Sequence, residues 1–149
     1  DKRGRKMDIL RCDTTQYSRI ARRYRSALAA GPMLVRDGRS VEYDSEDSFY
    51  ARRHPRTLIG KRADGTVVMA VIDGRFKGQG DGATIAETAY IARQLGLTEA
   101  LNLDGGGSST FVGREGRVLN MPSDTPGTTA QDVALRERSV PTAVIIAEQ

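Results

Sequence analysis

Residues 57–72, TLIGKRADGTVVMAVI, contain the strongest hairpin pattern of the chain. Residues 57–62 and the β-branched run 66–72 flank the turn Ala63-Asp64-Gly65. This pattern is typical of a β-hairpin, because an Asp-Gly pair supplies the backbone angles that a tight reversal needs. The sequence therefore predicts two antiparallel strands here.

Upstream of this hairpin the sequence predicts a helix and a shorter hairpin. Apolar residues recur at the three-four spacing of one helical face over residues 16–30, with Thr14 or Thr15 as a candidate cap. The turn Asp37-Gly38 separates two short apolar runs, which favours a hairpin. Both elements precede the hairpin of residues 57–72 along the chain.

Downstream, further patterns complete the prediction. Thr84 and Glu87 have the spacing of a capping box and begin a helix. Residues 100–103 predict a buried strand, residues 111–120 a third hairpin, and residues 140–147 a last strand. Together the elements predict an α+β domain with a mixed, largely antiparallel sheet and two main helices packed on it.

Composition limits the class of protein. The chain has 149 residues, of which 38% are hydrophobic, and this fits one domain with its own core. Its single cysteine, Cys12, excludes an intrachain disulfide framework and a multi-cysteine zinc site. No apolar run approaches the roughly 18 residues that indicate a membrane span. No signal-peptide pattern follows the charged start.

The positive charge is concentrated at one end of the chain. Residues 1–25 hold nine basic and three acidic groups, whereas the remaining residues carry 14 basic and 16 acidic groups. A basic arm can follow a phosphate backbone or another anionic surface. However, no aromatic residue that could stack on bases lies in the first sixteen positions, so a solvated arm is favoured over nucleic-acid binding.

The segment from Asn102 to Thr110 is the strongest functional signal. Three consecutive glycines follow the predicted buried strand, where they cost backbone entropy and are unusual in a plain connection. Such glycines allow a ligand to approach backbone amides closely, or aim neighbouring side chains. We call residues 104–110 the glycine loop. Its candidate site residues are Asn102, Asp104, Gly105, Gly106, Gly107, Ser108 and Ser109. A tight structural turn capped by Asp104 is the alternative.

Charged residues at other strand and helix ends add candidates. Asp73 and Arg75 follow the strongest predicted strand, and Arg56 enters its hairpin partner. Two arginines near carboxylates can bind a phosphate through paired hydrogen bonds. Glu87 is a further carboxylate, although helix capping alone explains it. His54, the only histidine, is interpreted as a loop or packing residue rather than a base.

The run Leu101-Asn102-Leu103-Asp104-Gly105-Gly106-Gly107-Ser108-Ser109-Thr110 resembles the signature of the phosphodiester glycosidase family. The resemblance extends in chain order over roughly residues 28–147. The further matching motifs are Ala30-Gly31-Pro32-Met33-Leu34-Val35, Asp37-Gly38, His54-Pro55-Arg56-Thr57, Val71-Ile72-Asp73-Gly74-Arg75, residues 84–87 and Asn120-Met121-Pro122-Ser123-Asp124, followed by the segment after Arg138.

The resemblance implies hydrolysis of the bond between the anomeric carbon of an N-acetylglucosamine-like sugar and a phosphate. It implies a catalytic role for Asp104, with Glu87 or Asp73 as second carboxylate, and phosphate binding by Arg56 and Arg75. Asn102, Ser108 and Ser109 would hold sugar hydroxyls or phosphate oxygens. No cofactor is required by the pattern, although aspartates beside glycine-rich turns also bind calcium, so a divalent cation stays open. An extracytoplasmic location is also implied.

The resemblance also divides the chain into two parts. Residues 1–27 are expected to form a basic arm and the start of the first helix, and residues 28–149 the glycosidase-like domain. Family members carry an Asn-Gly-Gly-Phe-Phe-like segment upstream, and the 30 residues before Gly31 contain no such motif. We therefore expect a companion polypeptide or a homo-oligomer to supply it. A non-catalytic sugar-phosphate or envelope-polymer binding protein, or half of a two-chain enzyme, is the alternative function.

Overall fold

The computed structural model describes residues 6–11, 13–76, 78–124 and 137–147. Its strands are β1 (Met33–Arg36), β2 (Arg39–Ser40), β3 (Arg56–Lys61), β4 (Val67–Ile72) and β5 (Glu99–Asn102). Its helices are α1 (Tyr17–Arg23), α2 (Ser48–Ala51) and α3 (Ile85–Gln94). The strands form one antiparallel sheet in the order β2-β1-β5-β3-β4. The predicted α+β fold class is confirmed.

The register of β3 aligns three strand ends. Arg56 lies opposite Ile72 in the predicted β3–β4 hairpin, which is confirmed. On the other side of β3, Leu58 lies opposite Asn102 of β5. The start of β3 and the ends of β4 and β5 therefore meet at one end of the sheet, which we call the loop end because the glycine loop begins there.

Helix α3 covers one face of the sheet. Thr84 caps it, and the side chains of Thr84 and Glu87 bond each other's backbone N–H groups, so the predicted capping box is confirmed. The alanines of its inner face allow close packing on the strands. The core consists of Leu34, Val35, Leu58, Ile85, Ala89, Ala92, Leu97 and Ala100.

The first helix is shorter than predicted. Instead of spanning residues 16–30, α1 ends at Arg23, buries no residue, and follows a 3₁₀ turn capped by Asp13 rather than by a threonine. Its sequence places arginines three or four residues apart without an acidic partner, and such like-charge pairs destabilise a helix. Tyr24 also leaves the helix and donates its hydroxyl to Asp8. Only α3 is therefore a main helix packed on the sheet.

Two predicted strand segments differ from the structure. The hairpin over residues 111–120 forms as an antiparallel bridge between Val112 and Val118, flanked by hydrogen bonds from Gly113 N to the Arg117 carbonyl and from Leu119 N to the Phe111 carbonyl, but it has no strand ladder. Residues 140–147 form no ladder with any described strand, so the predicted last strand is wrong; Ile145 and Ile146 are 82% and 78% exposed. A β-prone segment becomes a strand only where a neighbour pairs with it. Among the described residues, no helix is long and apolar enough to cross a membrane.

Candidate active site

The glycine loop leaves β5 and folds back onto the start of β3. The Asp104 side chain is exposed and accepts a hydrogen bond from Gly105 N at 2.9 Å. Gly106 N donates to the Pro55 carbonyl at 2.8 Å, and a Cβ on Gly105 would lie 2.8 Å from that oxygen. Gly106 also has a φ of +62°, in the region that favours glycine. The glycines are therefore required for this close backbone packing.

Arg75 follows β4 and reaches the glycine loop. Its backbone φ is +67°, a strained value for a residue with a side chain. Its Nη1 donates to the Ser123 carbonyl at 3.2 Å, and its Nη2 lies 2.9 Å from the position that a Cβ of Gly106 would take. Arg75 therefore places a half-buried guanidinium against the glycine loop.

The carboxylate of Asp73 is fixed by residues that sequence reasoning did not place in the site. Asn120 Nδ2 donates to Asp73 Oδ1 at 2.9 Å, and Met121 N donates to both carboxylate oxygens at 3.1 Å. Asn120 also donates to the Ser109 carbonyl and accepts from Phe111 N. Asn120 therefore ties β4 to the glycine loop. The signal for it was the motif at residues 120–124, which we quoted only for its resemblance.

The other polar candidates of the loop segment are more enclosed. Ser109 is buried and accepts a hydrogen bond from Thr57 Oγ1 at 3.2 Å, whereas Ser108 is half-buried. Asn102 is 1% exposed, and its Nδ2 donates to the carbonyls of Gly31 and Leu103. Its Oδ1 is buried without a hydrogen-bond partner in the described part of the chain. Asn102 therefore faces the interior, and Ser108 is the more accessible of the two serines.

Arg56 lies at the loop end of the sheet, but its side chain points to the α3 face. It is 2% exposed, and burial lowers the pKa of its guanidinium. Nε donates to the Ala83 carbonyl at 2.8 Å, while Nη2 donates to the carbonyls of Phe49 at 2.6 Å and Arg52 at 3.2 Å. These contacts occupy three of its five donors. The geometry gives Arg56 a structural role in place of the expected phosphate contact.

Glu87 is likewise occupied within the scaffold. Its Oε2 accepts from Thr84 N at 2.9 Å and from Arg53 Nε at 3.2 Å, and its Oε1 contacts Arg53 Nη2. The backbone N–H of Thr84, followed by the Arg53 guanidinium, lowers the pKa of this carboxyl. An ionised carboxylate bound on both oxygens is a poor proton donor, so helix capping explains Glu87.

His54 lies beside Ala83, whose carbonyl also binds Arg56. Its N–H and carbonyl pair with Ala83. Burial, and next the positive charge of Arg56, lower the pKa of the imidazole. Both effects favour the neutral form of the ring.

A half-open groove of about 530 Å³ lies between α2, α3 and the segment after β2. Tyr43 and Tyr50 line it, with ring centroids 5.2 Å apart. None of the predicted site residues lines this groove. Within the described ranges, no three His, Cys, Asp or Glu side chains come together in an arrangement that could hold a metal ion.

The sequence of this chain is similar to those of known proteins. The model of the phosphodiester glycosidase family matches residues 2–147. The prophage-derived protein YomE of Bacillus subtilis strain 168 is 36% identical over 108 residues, which are 70% of this chain and 16% of YomE. The N-acetylglucosamine-1-phosphodiester alpha-N-acetylglucosaminidase of Mus musculus is 31% identical over 100 residues, covering 63% of this chain and 19% of that protein.

Solved structures give the same result for the fold. The catalytic domain of the zebrafish N-acetylglucosamine-1-phosphodiester alpha-N-acetylglucosaminidase superposes with a TM-score of 0.59 at 22% identity, over 76% of this chain and 39% of that one. A protein of Burkholderia pseudomallei K96243 that is named as exported superposes with a TM-score of 0.52 at 42% identity, over 62% and 16% of the two chains. The chain thus spans less than a fifth of the length of the relatives matched by sequence. It belongs to the phosphodiester glycosidase family.

Proposed function

We propose that the site at the loop end hydrolyses the bond between a sugar's anomeric carbon and the phosphate of a phosphodiester. The observation that carries the proposal is the placement of Arg75 against Gly106, within a loop that begins at Asp104. The glycine loop then has a carboxylate for the sugar at its start and a cation for the phosphate, supplied from the end of β4, beside Gly106. The relatives named as N-acetylglucosamine-1-phosphodiester alpha-N-acetylglucosaminidases support N-acetylglucosamine as the sugar.

Catalysis of this reaction depends more on neutralising the negative charge of the leaving phosphate than on a strong acid. When the bond from the anomeric carbon to oxygen breaks, the phosphate leaves with the bonding electron pair. Phosphate is a stable anion, so it needs less proton donation than a sugar alcohol. Arg75 stabilises the developing charge, and the sugar carbon gains an oxygen from water.

We assign the two carboxylates to Asp104 and Asp73. Asp104 is exposed and makes one local hydrogen bond, so it is accessible as nucleophile or as the base that takes the proton of water. Asp73 is oriented by Asn120 and Met121 and serves as the second carboxylate. Glu87 is left out because it caps α3 and pairs with Arg53, whereas the Asn120 that binds Asp73 also binds the glycine loop at Ser109. Ser108 is the hydroxyl best placed to bind substrate, with Ser109 behind it.

The test is release of free sugar from an N-acetylglucosamine phosphodiester, with Asp104→Asn compared with Asp64→Asn. Asp64 is a matched control, because it is also exposed and also accepts a local backbone hydrogen bond, from Thr66 N, but lies in the turn at the other end of β4. We expect Asp104→Asn to lose at least about 100-fold in kcat and Asp64→Asn to match the wild type. An active Asp104→Asn chain would reject the assignment.

A second candidate function follows from the limited length of the match. Because the chain spans 16% and 19% of two relatives, it also fits a sugar-phosphate binding protein or one half of a two-chain enzyme. Binding of N-acetylglucosamine 1-phosphate without turnover by the wild type would favour this candidate. An extracytoplasmic location is proposed with either function, supported by the relative named as exported.

A further inference from the structure

An exposed ion pair lies directly on the glycine loop. Arg138 Nε donates to Asp124 Oδ1 at 2.7 Å, and Arg138 Nη2 also contacts this oxygen. A Cβ on Gly107 would lie 3.1 Å from Arg138 Cζ and 3.0 Å from Asp124 Cα, and it would overlap Asp124 Oδ1. The pair therefore fills the space that Gly107 leaves by having no side chain.

The neighbouring glycine carries the second guanidinium. Arg75 Nη2 rests on Gly106 in the same way, and its Nη1 donates to the carbonyl of Ser123. Ser123 directly precedes Asp124, and its hydroxyl donates to the Gly74 carbonyl at 2.8 Å. Two consecutive residues thus hold two guanidinium groups on two consecutive glycines. A pair of arginines beside a glycine-rich backbone is suited to bind a phosphate.

The carboxylate of Asp124 is the anion that Arg138 holds against the glycine loop in this arrangement. A carboxylate oxygen held by a guanidinium against the backbone of a glycine loop presents the same chemistry as a phosphate oxygen. The side chains of Arg138 and Asp124 are 47% and 39% exposed. Solvent screens such an ion pair, so breaking it costs little stability. A phosphodiester offers two free oxygens to the guanidinium groups, whereas Arg138 now holds a single carboxylate oxygen, so the phosphate can displace Asp124.

We propose that Arg138 is a phosphate-binding residue of the site and that Asp124 occupies it in the ligand-free chain until the substrate phosphate takes the carboxylate's place. Arg138 thereby fills the role that the sequence suggested for Arg56. The inference rests on the proposed function for the identity of the ligand as a sugar phosphate. Because Asp124 competes with the phosphate for Arg138, it lowers the affinity of the site for phosphate, and it also fixes the position of the Arg138 side chain.

Binding of phosphate separates this proposal from a purely structural ion pair. The probes are inorganic phosphate and N-acetylglucosamine 1-phosphate, titrated calorimetrically into the 149-residue chain at low salt, with N-acetylglucosamine as the neutral control. We expect Arg138→Gln to weaken both phosphate probes by about tenfold and Asp124→Asn to tighten them by about threefold or more. Opposite effects of the two variants are the signature of competition.

The chain offers a matched control pair. Arg117 and Glu115 form an exposed ion pair at 2.9 Å in the turn between Val112 and Val118. Arg117→Gln and Glu115→Gln change the net charge by the same amounts as the two test variants. We expect each control to bind phosphate within about twofold of the wild type, because a distant exposed charge is screened. A control that shifted the affinity as much as its test variant would overturn the proposal.

The remaining outcomes are also decisive. If Arg138→Gln does not fold, Asp124→Asn decides alone, since an unchanged or weaker affinity in that variant overturns the proposal. Phosphate binding by the wild type without hydrolysis would keep this inference and reject the proposed function. Hydrolysis with wild-type KM in Arg138→Gln would keep the function and reject the inference. Failure of the wild type to bind either phosphate probe would overturn it directly.

Discussion

Replacing Arg56 with methionine tests whether this arginine supports the fold or binds the substrate. Methionine keeps a long, unbranched side chain but removes the guanidinium donors. In the variant three carbonyls lose a donor: that of Ala83, which is buried and keeps its hydrogen bond from His54 N, and those of Phe49 and Arg52, which are partly buried. The change therefore removes three hydrogen bonds beside the α3 N-terminus.

The size of the effect follows from these three contacts. Losing the buried hydrogen bond from the charged guanidinium to Ala83 costs about 1.5–3 kcal/mol, and the two carbonyls nearer to solvent add about 1 kcal/mol each. We expect Arg56→Met to lower the free energy of unfolding by about 3–5 kcal/mol, a large part of the stability of a typical domain. Arg75 makes one hydrogen bond of 3.2 Å to a carbonyl, so Arg75→Met should cost about 1 kcal/mol.

The assay combines denaturant unfolding, followed by circular dichroism, with sugar release per folded molecule. Arg56→Met should unfold at a much lower denaturant concentration while its folded fraction keeps its turnover. Arg75→Met should show the reverse, with near-normal unfolding and strongly reduced turnover. The structural reasoning is refuted if Arg56→Met unfolds like the wild type but no longer releases sugar.

Two further predictions concern the loop end and helix α3. Gly82 has a φ of +95°, and a Cβ there would overlap the His54 backbone, so Gly82→Ala should lower the unfolding free energy by more than about 2 kcal/mol; Gly65→Ala, with a φ of +89° in open space, isolates the cost of the backbone angle and should cost about 1 kcal/mol in the same denaturant titration. Glu87 has a lowered pKa in the folded chain, so its contribution to stability is present above the ordinary value of 4.5 and is lost as the pH falls through the folded pKa. Glu87→Gln should therefore flatten the decline in melting temperature below pH 4.5, and an unchanged decline would contradict this.

Local patterns predicted the elements that form from their own residues. The β3–β4 hairpin was predicted because the Asp64-Gly65 turn and the β-branched run agree with each other. Helix α3 was predicted because Thr84 and Glu87 satisfy each other's backbone groups without any distant partner. The antiparallel hairpin also predicted that Arg56 and Asp73 would lie near the same end of the sheet, and its register places them there.

Elements that depend on distant contacts were predicted less well. Helix α1 ends at Arg23, and the side chain of Tyr24 then contacts Asp8, sixteen residues earlier in the chain. Nothing in the helical period indicates this contact. Residues 140–147 have strand composition but join no described strand. Asn120 acts through hydrogen bonds to Asp73 and Ser109, which the sequence separates by 47 and 11 positions. Such connections are set by tertiary packing, to which local patterns are insensitive.

The structural role of Arg56 follows from the alternation of side chains along β3. Successive residues of a strand point to opposite faces, so Arg56 shares its face with Leu58, which is fully buried in the core beneath α3. Thr57 points the other way and contacts Ser109 of the glycine loop. A core leucine two positions after an arginine therefore already indicated that the arginine faces inward.

The same alternation explains why the charged residues at the loop end fall into two groups, those that stabilise the fold and the candidate site residues. Arg56 holds the carbonyl of Ala83, the residue before the helix cap, while Arg53 and Glu87 bind each other across the first turn of α3. These three charged side chains connect α3 to the start of β3, so their hydrogen-bonding groups are already occupied. Arg75 after β4 and Asp104 after β5 are not bound in this way at the α3 N-terminus, and in the proposed function they supply the charges for the substrate. A search for site residues in related sequences should accordingly begin with residues that follow strands, and should discount charges that lie on a core-facing position within one.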